Sequence, residues 1–69
     1  MPPINLLVNG HPREAPARIT IGRLLEELKL PSRGIAVEVN QQIVPRQQHA
    51  EHELREGDRL EIVSLVGGG

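Results

Sequence analysis

Ile19-Thr20-Ile21-Gly22-Arg23-Leu24-Leu25-Glu26-Glu27-Leu28 is the one long stretch of this chain with a helical repeat. Ile21, Leu24, Leu25 and Leu28 recur at the spacing of one helix face, and Arg23, Glu26, Glu27 and Lys29 fall on the other side. Thr20 is a favoured N-cap. Ile19 before it and Leu24 four residues after it fit a hydrophobic staple. Arg23 stands where a capping box would have Glu, so that box is absent. Gly22 weakens the first turn by about 1 kcal/mol relative to Ala. Pro31 is expected to stop the helix, which places it over residues 20–30.

On either side of the helix the sequence reads as strands. Ile4 to Val8 is a strand, and Asn9-Gly10 after it is the strongest short hairpin signal, because a type I′ turn needs positive φ at both positions. His11 to Ala17 returns, with Pro12 and Pro16 suggesting a sheet edge. After Ser32-Arg33-Gly34, Ile35 to Val39 is a strand, Asn40-Gln41 a turn of another type, and Gln42 to Val44 a short strand ended by Pro45. Arg46 to Glu56, polar around Leu54, reads as loop or short helical turn. Glu56-Gly57-Asp58 is a tight turn, and Arg59 to Val66 is the last strand. The order is ββαβββ. One helix on one face of a mixed sheet of about five strands makes an α+β domain over residues 1–66, with 67–69 as a flexible tail.

Strand alternation assigns the faces. Ile4, Leu6, Val8, Ile35, Val37, Val39, Leu60 and Ile62 should point at the helix. On the far side Asn5, Glu38 and Glu61 suit a solvated face, whereas Leu7, Val63 and Leu65 do not. They are scattered surface apolar residues, residues covered by the 46–56 loop, or a docking patch beside the tail.

Composition excludes several functions. Sixty-nine residues make one domain near the lower size limit for unaided folding. Without Cys there is no disulfide framework, thiolate nucleophile or cysteine metal site. A cytoplasmic protein without a membrane span is expected. The core must come from 21 Ile, Leu and Val residues, because Phe, Tyr and Trp are absent. No aromatics means no base stacking, and a net charge of −1 gives no basic field for phosphate backbones, so no nucleic-acid partner is expected.

The sequence stops at Val66-Gly67-Gly68-Gly69. A glycine run adds nothing to a core, yet without Cβ atoms it can thread a narrow cleft and present a terminal carboxylate. A frayed terminus or a linker remnant is the plainer alternative. Nothing else forms a reactive constellation. Ser32 and Ser64 lack a partnered base, and no Gly-x-x-x-x-Gly-Lys loop is present. His49 and His52, with Glu51 and Glu53, have metal-like spacing but no further ligand at a recognisable distance, and read as a solvated polar loop. His11, Arg55 and Arg59 read as solvated surface residues.

The Leu7-Val8-Asn9-Gly10 hairpin, the helix from Thr20 to Leu28, Gly34 to Asn40, Ile43-Val44-Pro45-Arg46, Leu54 to Val63 and the closing glycines come in an order that resembles the β-grasp, ubiquitin-like sulfur carriers of the ThiS family. The family usually ends in two glycines, where this chain has three, and often has Asn-Gly where this chain has Asn40-Gln41. The resemblance implies a carrier that is not an enzyme and binds no cofactor. An E1-like enzyme would use ATP and Mg to adenylate the carboxylate of Gly69. A sulfur donor such as a cysteine desulfurase would lead to a thiocarboxylate, and thiazole synthase would receive the sulfur. Gly67 and Gly68 would give access. Leu7, Val63, Leu65 and Val66 would dock the partners, and the free carrier would be a monomer. Three other functions remain open: a molybdopterin-synthase small subunit, a ubiquitin-like modifier, for which one lysine is few, and a passive interaction module.

Overall fold

The computed structural model describes residues 1–31 and 33–65; Ser32 and Val66–Gly69 lie outside that set. Five strands and one helix follow the expected order: β1 (Ile4–Val8), β2 (His11–Ala15), α1 (Ile21–Glu27), β3 (Ile35–Val39), β4 (Gln42–Val44) and β5 (Arg59–Ser64). A single 3-10 turn, Arg46–Gln48, lies between β4 and β5. The sheet order is β2-β1-β5-β3-β4, so the last strand occupies the middle. It runs parallel to β1, with Val8 beside Leu60, and antiparallel to β3, with Val37 beside Ile62. The two hairpins form the outer pairs.

Ile21, Leu24 and Leu25 of α1 join Leu6, Ala15, Val37, Val39, Val44 and Leu60 of the sheet, with Ile19 and Leu54, in one buried cluster. Ile4, Val8, Ile35 and Ile62 pack half-buried at its margin, as the strand alternation requires, and Leu28 joins them from the C-cap of α1. The core cluster is wholly aliphatic.

Both ends of α1 are capped, the first by a side chain and by backbone carbonyls, the second by backbone bonds alone. The Thr20 hydroxyl accepts the Arg23 N–H at 3.2 Å, as an N-cap should. The two remaining N–H groups of the first turn find carbonyls in the 46–54 segment: Ile21 donates to His52 at 3.0 Å and Gly22 to His49 at 2.9 Å. That segment therefore completes the helix start. Its Leu54 N–H donates back to the Ile19 carbonyl at 2.8 Å, and the Leu54 side chain is buried. At the other end the helix stops earlier than Pro31 requires. Lys29 adopts φ +59°, its N–H donates to Glu26, and the Leu30 N–H donates to Leu25. This is a Schellman cap with Lys where Gly is usual.

Three other expectations need correction. Asn40 and Gln41 have φ of 53° and 72°, the type I′ signature, as do Asn9 and Gly10 at 52° and 81°. Gln41 is held there by the β3–β4 pairing against its intrinsic preference. β2 ends at Ala15, and Arg18, at φ +65°, turns the chain into Ile19. His49 is not solvated: it is 5% exposed, and its Nε2–H donates to the Val44 carbonyl at 2.9 Å. The 3-10 turn folds the chain back over β4 and seats the imidazole, while Glu51 and Glu53 stay outside and His52 is half-buried. Among the described residues, no three His, Asp or Glu side chains come together as a metal site.

Leu25→Ala should lower unfolding stability by about 2–5 kcal/mol in urea titration, since it opens a cavity under the helix. A loss below about 1 kcal/mol would mean that Leu25 is not core. Gln41→Gly should raise stability by about 0.5–1 kcal/mol, because glycine removes the cost of a Cβ at positive φ and returns part of that gain as chain entropy.

Candidate functional site at the end of the last strand

The sequence reading places the working group on Gly69 and access on Gly67 and Gly68, with Val66 among the docking residues. All four lie outside the described residues. The described part of the site is the end of β5 and the sheet face turned away from α1.

Val63 is 51% exposed and Leu65 is 66% exposed, both on that far face. Val63 lies directly across from Ala36 of β3. Ile43, 69% exposed, stands on the same face of β4, opposite Glu38. Sequence reading missed Ile43. Its alternation with buried Val44 is legible, but the neighbour that places it beside Glu38 follows only from the register. Leu7 is half-buried on β1 and pairs with Arg59. That position is four residues along β5 from Val63, roughly 13 Å at about 3.3 Å per residue. The structure therefore groups Val63 and Leu65 and sets Leu7 apart from them. Glu61 and Glu38, directly opposite each other, lie between. Like charges in that arrangement disfavour the free sheet.

Two asparagine side chains hold β5 in place. Asn9, at the hairpin turn, accepts the Ile62 N–H on Oδ1 at 2.7 Å and donates from Nδ2 to the Ile62 carbonyl at 3.2 Å. The amide thus stands in for a strand residue where β1 has ended. Asn40, at the other turn, accepts the Arg59 N–H at 3.1 Å and donates to Asp58 Oδ1 at 3.0 Å. The second oxygen of Asp58 accepts the Arg55 N–H at 2.9 Å, which closes the tight turn before β5. Glu56 in that turn accepts the Asn5 N–H at 3.0 Å, and Gly57 donates to the Asn5 carbonyl at 2.8 Å. Turn residues read as punctuation are thus the fasteners that aim β5. Arg55 and Arg59 are exposed, as expected.

Among the described residues of this arrangement no acid, base and nucleophile come together. The arrangement offers a rigid strand, held from both sides, whose end leads into the glycine run.

Comparison with known proteins agrees with this geometry. The family model described as the ThiS family matches residues 6–69. A sulfur carrier protein ThiS of Escherichia coli is 36% identical over 66 residues, covering 96% of this chain and 100% of that protein. A thiazole synthase of Paramagnetospirillum magneticum is 44% identical over 66 residues, covering 96% of this chain; the chain spans only 20% of that relative's length. The crystal structure of a thiamine biosynthesis protein (ThiS) from Geobacter metallireducens superposes with a TM-score of 0.81 at 29% identity, covering 96% of this chain and all of that one.

Proposed function

The chain belongs to the ThiS family, and we propose that it is a sulfur carrier protein of thiamine biosynthesis whose working group is the carboxylate of Gly69. The observation that carries this reading is the family match over residues 6–69, which runs through the glycine tail and is matched by a sulfur carrier aligned over its whole length.

The chemistry follows from what a carboxylate can do. It is a poor acyl donor, so sulfur can replace one of its oxygens only after activation. An E1-like adenylating enzyme with Mg and ATP would join Gly69 to AMP and release pyrophosphate. Persulfide sulfur from a donor such as a cysteine desulfurase would displace AMP to give an acyl disulfide, and a second thiol would reduce its S–S bond, becoming oxidised to a disulfide and releasing the thiocarboxylate. Thiazole synthase would take the sulfur and return the carboxylate. That a thiazole synthase itself contains a segment similar to this chain supports this last partnership. Activation needs a nucleotide site and a nucleophile, and the chain's own residues supply neither motif. It acts as a carried substrate and not as a catalyst, with no cofactor of its own.

Within this scheme residues 1–66 form the gripped domain and 67–69 the flexible reaching tail. Gly67 and Gly68 let the tail enter a channel too narrow for side chains. Val63 and Leu65, with Val66 and the more distant Leu7, dock the partners. The carrier works as a monomer in the cytoplasm. Among the described residues no helix is long and apolar enough to cross a membrane.

Incubation with ATP, the cognate activating enzyme and a sulfide source should raise the intact mass by the exchange of one oxygen for one sulfur. Deleting Gly68-Gly69 shortens the reach by about 7 Å and should abolish that gain with almost no change in stability. Deleting Gly69 alone restores the usual two-glycine end and should leave partial activity. Full activity of both deletions in ATP–pyrophosphate exchange would exclude the tail as the reacting group. Leu65→Glu should keep the thermal midpoint near wild type, because the side chain is already solvated, and should weaken activating-enzyme binding in a titration. Unfolding of that variant would instead assign Leu65 to the core.

A further inference from the structure

On the sheet face turned away from α1, charged and apolar side chains come in rows. The Asn40 N–H donates to the Arg59 carbonyl at 2.8 Å and the Leu65 N–H to the Gly34 carbonyl at 2.7 Å. With the observed register, these bonds make Glu38 and Glu61 a hydrogen-bonded pair, about 5.5 Å apart at Cα. Ile43 stands opposite Glu38 on the next strand, so Glu61, Glu38 and Ile43 form one row across β5, β3 and β4. The next row toward the end of β5 is Val63 and Ala36. Ala36 is small, which leaves low ground between the exposed Ile43 and Val63. The strands carry Glu14, Glu38 and Glu61 on this face against Arg59 alone, a balance of −2, whereas the whole chain has −1. Arg59 is two residues along β5 from Glu61 and lines the same hollow as both carboxylates, with Asn40 and Gln41. The ion pairs among the described residues are Arg13–Glu27 and Arg23–Glu26, so neither Glu38 nor Glu61 is in one. Two carboxylates side by side with no cation between them cost the free sheet stability.

We infer that the Glu38–Glu61 pair receives an arginine of the E1-like adenylating enzyme, whose aliphatic stem lies over Ile43 and Val63. The inference rests on the carrier reading and goes further by naming the chemistry of the partner's grip. A guanidinium has five N–H donors in a planar fork and can bond two carboxylates at once. Its stem needs apolar cover, which Ile43 and Val63 give on the side away from Arg59. The charge of Arg59 disfavours the other approach. The apolar part of this surface is continuous with Leu65, two residues along β5 from Val63. The choice of occupant follows from charge. The adenylating enzyme must bring an acidic carrier with a free carboxylate up to the phosphates of ATP, and cations on its docking surface offset that repulsion. Sulfur transfer to a thiazole synthase involves no ATP in this scheme. In the Paramagnetospirillum relative the carrier-like segment is also part of the thiazole synthase chain, where tethering can stand in for a grip.

Calorimetric titration of the carrier with its cognate E1-like adenylating enzyme, without ATP, tests this beside urea unfolding of the free carrier. Replacing both carboxylates, Glu38→Gln together with Glu61→Gln, should weaken binding about tenfold or more. The same change should leave the urea midpoint at or above wild type, because the repulsion goes with the charges. Ile43→Lys places a cation of the carrier's own beside Glu38, and it should raise the midpoint and also weaken binding about tenfold. Binding as wild type by either variant overturns the proposal. So does a lowered midpoint of the double variant, which would mean that the carboxylates already have favourable partners in the free domain. Wild-type affinity should fall as NaCl is raised from about 0.05 to 0.3 M, and that of the double variant should fall less. An equal fall for both overturns the proposal, as does a loss of affinity confined to thiazole synthase. If the wild-type carrier gains sulfur in the mass assay and the double variant binds normally, the arginine inference alone fails. If the carrier gains no sulfur, the carrier reading fails and this inference with it.

Discussion

β5 is bonded to both halves of the molecule, and neither half has another route to the other within the sheet. On one side lies the β1–β2 hairpin, on the other the β3–β4 hairpin. A two-stranded hairpin alone is marginal in water, and three or more strands with a packed face are needed for stability. β5 supplies that third strand to both hairpins at once, and its Leu60, 1% exposed, sits in the middle of the shared core. The parallel contact with β1 is short, Leu7 to Arg59 and Val8 to Leu60. Asn9 lengthens it with a side-chain amide, and the turn at 56–58 lengthens it at the other end through Asn5 and Leu7. Polar turn residues do what further strand residues would otherwise have to do.

What was legible in the sequence was the part decided by near neighbours. The spacing of Ile21, Leu24 and Leu25 found the helix and its buried face. Asn9-Gly10 found the first hairpin, and period-two alternation found which side of each strand faces the core. What was not legible depended on contacts far along the chain. Gln41 and Lys29 are poor residues for positive φ, and only the hairpin pairing and the Schellman bonds hold them there. His49 looked solvated among polar neighbours, yet the carbonyl of Val44 and the first turn of α1 draw its segment inward. At the candidate site, the exposed apolar character of Val63 and Leu65 could be read from alternation. The separation of Leu7 from them and the presence of Ile43 on the same face could not, because both follow from strand register.

The 46–54 segment shows how a chain of this size satisfies its backbone without much regular structure. The helix is short, and its first turn has orphan N–H groups that a larger protein could leave to water. Here the carbonyls of His49 and His52 accept them, and Leu54 closes the gap beneath. The helix, this segment and the end of β4 therefore form one packed unit against the sheet. That rigidity suits a carrier.

The central place of β5 also sets when the protein can exist at all. It pairs with β1 from the opposite end of the chain, so the sheet closes through contacts of long sequence separation, which fold slowly. A ribosome makes β1 and β2 first, and at about 5–20 residues per second several seconds pass before β5 follows. Until that strand leaves the exit tunnel, β1 has an open inner edge and no core beneath it. The Pro12 of β2 guards only the outer edge of the nascent hairpin. Folding is thus deferred to the close of synthesis of this domain, and a nascent chain halted before Arg59 has no native sheet to offer a partner.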